Sequence, residues 1–240
     1  MASRKVDQPW SAFAMKRRLT VLAAIVALGL FLGLIFLYDP GQAPDSELAL
    51  AMNADRGIVV TTIMVAASRY GREYFWAGIV AVMLIFSKNE TKIKAIELAI
   101  LFAVGVVAGE VVKQLIVKPR PFKTIAELVT RVPKDYDSSF PSGHAIIVTI
   151  GATFALLKFE KKSIAVLLTL EASIVAYSRI YVGMHYPLDV VGGIFLGSAI
   201  AFLGVFFLNK KIVVFVEEIV RFVSSSRSKK ANAHQLLQSH

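Results

Sequence analysis

The sequence predicts an all-α fold: a polytopic membrane bundle of six transmembrane helices with one short interfacial segment. Three observations carry this. The chain of 240 residues is 56% hydrophobic with a mean hydropathy of +0.63, above the roughly 45–50% apolar content of soluble domains. Its apolar residues gather in runs near the length of about 20 residues that a helix needs to cross the hydrocarbon core. Short polar or Pro-containing segments separate those runs. Cysteine is absent, which excludes disulfides, thiol catalysis and thiolate metal sites.

The elements follow in order. Lys16, Arg17 and Arg18 precede an uncharged run from Leu19 to Tyr38. That run is too long for an ordinary signal-peptide core, and no small-x-small cleavage site follows it, so it is expected to persist as the first span. The stretch DPGQAP, Asp39 to Pro44, ends it. GIVVTTIMVAA, Gly57 to Ala67, is too short to span and is expected to lie in the interface or re-enter. The second span is expected over Glu73 to Phe86, with Tyr74 and Trp76 where aromatic rings suit the headgroup level. After the polar turn SKNETKIK, the third span is expected over Ile93 to Val117. The fourth covers Ser142 to Leu157, the fifth Ser163 to Tyr181 and the sixth Leu188 to Leu208. The organisation is thus a basic N-terminus (1–18), one membrane domain (19–208) and a basic tail (209–240).

Six spans put both termini on one side, and positive charge assigns that side. Arg4, Lys5 and the 16–18 cluster share it with Lys88, Lys92 and Lys94. Lys158, Lys161, Lys162 and the six basic residues from Lys210 to Lys230 join them, a majority of the 27 Lys and Arg. Cytoplasmic termini follow, at a multi-pass cell membrane. The net charge of +10 is then a topology signal and a contact for anionic lipids, and nucleic-acid binding is not expected.

Three stretches gather polar groups at the opposite, outer end. KQLIVKPRPF holds Lys113 and Arg120. SSFPSGHA opens the fourth span: Pro141 suits a first helical position, and Ser142, Gly143 and His144 would offer backbone N–H groups to an anion at the positive end of the helix dipole. SRIYVGMHYPLDVVGG joins the last two spans. There Arg179 offers a planar fork for phosphate oxygens, and His185 is a nucleophile or base. Pro187 starts a helix whose first turn carries Asp189, within reach of the His185 ring. Taken singly, each feature has an ordinary structural reading, such as a snorkelling lysine or a helix start. Their convergence on one face supplies three cations, two histidines, one carboxylate and an anion-binding helix end.

These residues resemble the type 2 phosphatidic acid phosphatase superfamily of membrane lipid phosphatases. Lys113, Arg120 and Pro121 match KxxxxxxRP. Pro141 to His144 match PSGH. Ser178, Arg179, His185 and Asp189 match SRxxxxxHxxxD. The resemblance covers about residues 95 to 208, in the family's motif order. It implies that Lys113, Arg120 and Arg179 bind phosphate and that Ser142 and Gly143 cradle it. His185 would form a phosphohistidine with Asp189 as its orienter, and His144 would protonate the leaving oxygen. It implies no metal and no cofactor, the cations taking the place of a metal.

The expected substrate is a lipid phosphate whose tail enters between helices. A polyprenyl diphosphate, cleaved to the monophosphate, is preferred. A phosphatidic acid or phosphatidylglycerophosphate monoester is second. A non-catalytic phospholipid binder or transporter would lack His185, His144 or Asp189, and all three are present. Three acids remain inside the spans. Glu110, one turn before Lys113, is expected to position it; Glu97 is expected to snorkel or hydrate near a membrane end; Glu171 is expected to make a polar contact inside the bundle.

Overall fold

The computed structural model describes residues 9–36 and 43–208. The basic tail from 209 onward and the first eight residues lie outside this range. Nine helices form it: α1 (Pro9–Phe36), α2 (Ala43–Asn53), α3 (Ile58–Tyr70), α4 (Glu73–Phe86), α5 (Asn89–Leu115), the single turn α6 (Pro121–Thr124), α7 (Gly143–Lys158), α8 (Lys162–Tyr181) and α9 (Pro187–Leu208). Among the described residues there is no strand.

Helix α7 lies at the centre, against α5 and α8. Ala145, Ile146, Val148, Ile150, Phe154 and Ala155 are all nearly or fully buried. They point in several directions, as expected of a helix with neighbours all round. Helix α9 approaches α7 backbone to backbone. A Cβ added at Gly197 would sit 2.5 Å from the Ile146 carbonyl oxygen, and one at Gly193 2.7 Å from that of Ser142. Small residues at such contacts suit membranes, where helix association depends on close packing.

Helices α1, α5, α8 and α9 are long and apolar enough to cross a membrane. Of the six expected spans, α4 and α7 are apolar but have only 14 and 16 residues. At about 1.5 Å per residue they reach roughly 21–24 Å, less than the roughly 30 Å hydrocarbon core. The segment expected to lie flat or re-enter is longer than Gly57 to Ala67. It is the pair α2–α3, bent by 118°, and it folds over one end of the bundle. Asn53 fastens it there: Nδ2 donates to the carbonyls of Val129 and Tyr181, both at 2.8 Å, and Oδ1 accepts from the Val129 N–H at 2.9 Å. The Asp45 carboxylate accepts from the Leu188 N–H at 3.1 Å.

Glu97 does not hydrate at a membrane end. It is 2% exposed and pairs with Lys158 at 2.9 Å, tying the start of α5 to the end of α7. Glu110 does reach Lys113, at 3.5 Å. The Glu171 carboxylate faces the Trp76 side chain, the expected polar contact inside the bundle, without a hydrogen bond of ordinary geometry among the described residues.

The glycine contacts give a stability prediction. Gly197→Ala should lower stability in detergent by about 1–3 kcal/mol, the usual cost of overpacking. Gly78→Ala, where nothing lies within 4 Å, should leave it equal or higher, since alanine favours the helix. Thermal unfolding of both variants checks this; equal midpoints would show that α7 and α9 are not so closely apposed.

Candidate active site

The site is built at the end of the bundle where α7 and α9 begin and α5 and α8 finish. Ser142 caps α7: its Oγ accepts from the Ala145 N–H at 3.4 Å. Pro141 therefore stands outside the helix rather than at its first position. The Ser142 N–H donates to the Asp189 carbonyl at 3.0 Å, so it is not free for an anion. Gly143 and His144 open the helix, and their N–H groups have no carbonyl one turn back to bond. Both residues line a polar cavity. Ser142 is fully buried behind that wall, so its contribution is to hold the helix end in place.

Lys113, Arg120 and Arg179 reach the same cavity from α5, the loop before α6, and α8. Arg120 is 2% exposed. Its guanidinium donates to the Met184 carbonyl at 3.0 Å and lies 3.3 Å from His185 Nε2. Arg179 donates to Ser68 Oγ, while its Nε has no partner. Two carboxylates from the loop before α7 enter the cationic cluster. Asp137 bridges Lys113 and Arg120, and Asp135 lies 3.7 Å from both Arg120 and Arg179. Burial alone would raise the Asp137 carboxyl. The hydrogen bonds and charges of Lys113 and Arg120 outweigh it and hold the group at about 2. The cluster thus binds an oxyanion even within its own chain.

His185 is 2% exposed and Asp189 is fully buried. The geometry refines the expected pairing. His185 Nδ1 donates to the Ser139 carbonyl at 2.8 Å, and Asp189 Oδ2 lies 3.6 Å from the same nitrogen. With Nδ1 protonated, Nε2 holds the lone pair toward Arg120 and the cavity. Burial pushes the imidazole down; the Asp189 carboxylate acts against this and the two arginines with it, to about 4. The ring is therefore neutral at pH 7. Asp189 is itself held on all sides. Lys118 Nζ donates to Oδ1 at 2.9 Å, and Ser139 Oγ and the Tyr186 N–H both donate to Oδ2, the latter at 2.9 Å. Lys118 also reaches Asp45 at 3.3 Å and stands over the Tyr186 ring, 4.3 Å from its centroid.

His144 faces His185 across the cavity. Its Nε2 lies 3.0 Å from the Ser68 carbonyl, so Nε2–H is the donor and Nδ1 is left toward the cavity. The Ser68 carbonyl also suits a protonated ring.

All eight residues singled out in the sequence are thus assembled at one end, six of them on the cavity wall, with Ser142 and Asp189 behind it. The sequence reasoning missed Lys118, Ser139, Asp45, Ser68, Asp135, Asp137 and Arg72. Lys118 and Ser139 stand inside the quoted motif stretches, and a second cation two residues before Arg120 is a usable signal. Ser68 comes from the segment 46–71, whose path the sequence left open, and Asp45 and Arg72 flank it.

The comparisons with known proteins agree with this geometry. Residues 94–212 match the PAP2 superfamily. The undecaprenyl-diphosphatase of Sulfolobus acidocaldarius is 43% identical over 159 residues, covering 66% of this chain and 76% of the relative. Undecaprenyl-diphosphatase BcrC of Bacillus subtilis is 31% identical, covering 68% and 82%. Among solved structures, Aquifex aeolicus LpxE superposes with a TM-score of 0.62 at 27% identity, over 69% of this chain and 96% of that one. The PAP2-type phosphatidylglycerolphosphate phosphatase of Bacillus subtilis superposes at 0.65 with 23% identity, over 78% and 96%, and shares the fold. With this order of motifs, this helical end and these relatives, the chain belongs to the PAP2 superfamily and is a multi-pass membrane phosphatase.

Proposed function

We propose that this phosphatase converts a polyprenyl diphosphate to the monophosphate through a phosphohistidine on His185. One observation carries the chemistry. His185 Nε2 presents its lone pair to a cationic cavity whose far wall is the open N-terminus of α7. The terminal phosphate would sit among Lys113, Arg120, Arg179 and the N–H groups of Gly143 and His144. These neutralise the charge that builds in the transition state. Nε2 attacks the terminal phosphorus; the N–P bond forms as the P–O bond to the bridging oxygen breaks. Bound phosphate stabilises the imidazolium of His144, with Nε2–H on the Ser68 carbonyl, and the Nδ1 proton goes to the departing prenyl monophosphate. His144 then takes a proton from water, which attacks the phosphohistidine; the N–P bond breaks and orthophosphate leaves. Asp189 stabilises the imidazolium character of His185 during both steps.

The printed names of the Sulfolobus and Bacillus relatives support a polyprenyl diphosphate as substrate. So does an apolar groove between α4, α5 and α7 that adjoins the polar cavity and is lined by Trp76, Phe102 and Val106. We further propose six crossings, with α4 and α7 as short spans; both termini then share one side, and the bias of Lys and Arg toward that side argues for cytoplasmic termini and a site at the outer face. The contacts of α2–α3 support this count, since Asp45, Asn53 and Ser68 all bond at the site end.

The histidines separate by experiment. His185→Ala should abolish turnover and covalent labelling by radioactive substrate. His144→Ala should slow turnover by about 10²–10⁴-fold, the worth of one acid–base group, while label is still found on His185. Mapping of the phosphorylated peptide after an acid-free quench decides it; label on His144 would reverse the roles.

The cations are expected to do the work of a metal. Activity should persist in excess EDTA and fall with vanadate; a strict requirement for added magnesium would overturn the scheme.

Orientation is testable because the chain has no cysteine. In intact cells, Ala126→Cys should react with a membrane-impermeant thiol reagent and Glu160→Cys should not. The opposite pattern would turn the site inward.

A further inference from the structure

Arg72 lies in the turn between α3 and α4, outside the three motifs and outside the matched residues 94–212. It has no place in the scheme above, yet it stands at the junction of the two cavities. The polar cavity holds His185, His144, Arg120 and Arg179, and the apolar groove holds Trp76, Phe102 and Ile147. Arg72, Glu110, Lys113 and Gly143 line both. The Arg72 guanidinium hangs over the opening turn of α7: a Cβ added at Gly143 would lie 3.3 Å from its terminal nitrogen. Its side chain is 32% exposed and pairs with Glu73, and Asp135, Glu110 and Asp137 are the other carboxylates that face it.

A substrate that presents one phosphorus to His185 Nε2 and lays its chain in the groove must pass through this junction. In a monoester, the atoms passing there belong to the ester oxygen and the alcohol. In a diphosphate, they are the second phosphate, the one that stays with the lipid. We propose that Arg72 binds this second phosphate and so makes the site selective for lipid diphosphates over lipid monophosphates. The inference rests on the diphosphatase reading. Lys113, Arg120 and Arg179 are already committed to the transferred phosphate, and a diphosphate carries more negative charge than a monoester. A fourth cation on the groove side answers that extra charge. A guanidinium suits the task because its fork bonds two phosphate oxygens at once. On departure, the second phosphate becomes the leaving group, so a cation there also stabilises charge as the bridging P–O bond breaks.

The test compares full-length wild type, Arg72→Gln and Arg72→Lys in detergent with farnesyl diphosphate, farnesyl monophosphate and phosphatidic acid. Removing one charge-assisted contact should lower kcat/KM for the diphosphate by about 10- to 100-fold. The two monophosphates should change by less than about threefold, and Arg72→Lys should recover part of the loss. The ratio of diphosphate to monophosphate activity does not depend on how much of the variant is folded. Vanadate inhibition, which reports the pocket at His185, should stay the same. An equal loss on all substrates, or none on the diphosphate, overturns the role of Arg72 and leaves the diphosphatase reading standing. A wild-type enzyme that prefers phosphatidic acid to farnesyl diphosphate overturns that reading and the inference with it.

Discussion

The structure of the site depends on one buried carboxylate. Asp189 has no exposure, and both of its carboxylate oxygens accept hydrogen bonds. Its side chain accepts from Lys118, Ser139 and the Tyr186 N–H, and its backbone carbonyl accepts the Ser142 N–H. Through Lys118 it reaches Asp45, which in turn accepts the Leu188 N–H. The start of α9, the cap of α7, the loop after α5 and the start of α2 therefore meet at one charge. A carboxylate so far from water is tolerable only when paired and fully hydrogen-bonded, and the lysine supplies the compensating charge. The motif aspartate is thus both a neighbour of the reactive imidazole and the point at which the surrounding backbone is assembled.

That assembly explains how neutral imidazole and dense positive charge coexist. The Ser139 carbonyl and the Asp189 carboxylate lie on the Nδ1 side of His185, and Arg120 lies on the Nε2 side. The ring is held in one tautomer with its lone pair toward the cavity. The cations beyond it repel one another, and Asp135 and Asp137 offset this by folding in among them. Phosphate oxygens offer the same cluster the same chemistry as those carboxylates, with more charge and better geometry for a bidentate arginine.

Of the four helices whose ends build the site, α5, α8 and α9 are long enough to span and α7 is shorter. Helix α7 spends its first turn on the cavity and its remainder in the core, with glycines of α9 pressed onto its backbone. The bent pair α2–α3 closes the same end: its Asn53 side chain satisfies backbone groups of Val129 and Tyr181 that hydrocarbon would leave bare, and its Ser68 carbonyl accepts from His144 Nε2. Apolar groove and polar cavity meet at this closed end, which gives a lipid a place for its chain beside a place for its charge.

The amino-acid sequence by itself determined the helical membrane class, the helices α4, α5, α7, α8 and α9 to within a few residues, and the eight residues that converge at the site. Those are properties of local pattern: apolar runs have a period and a length, and motif spacings fix which helix end carries which group. Tertiary structure decided the rest. That Asp189 is held by Lys118 and Ser139, that the Ser139 carbonyl accepts from His185 Nδ1–H, and that Ser142 stands behind the wall all depend on atoms 46 to 71 positions apart in the chain. The path of residues 46–71 was open for the same reason. Its apolar content suits an interface as well as a span, and only the bonds from Asp45, Asn53 and Ser68 to distant backbone and side chains fold it over the site and bring Arg72 to the mouth of the groove.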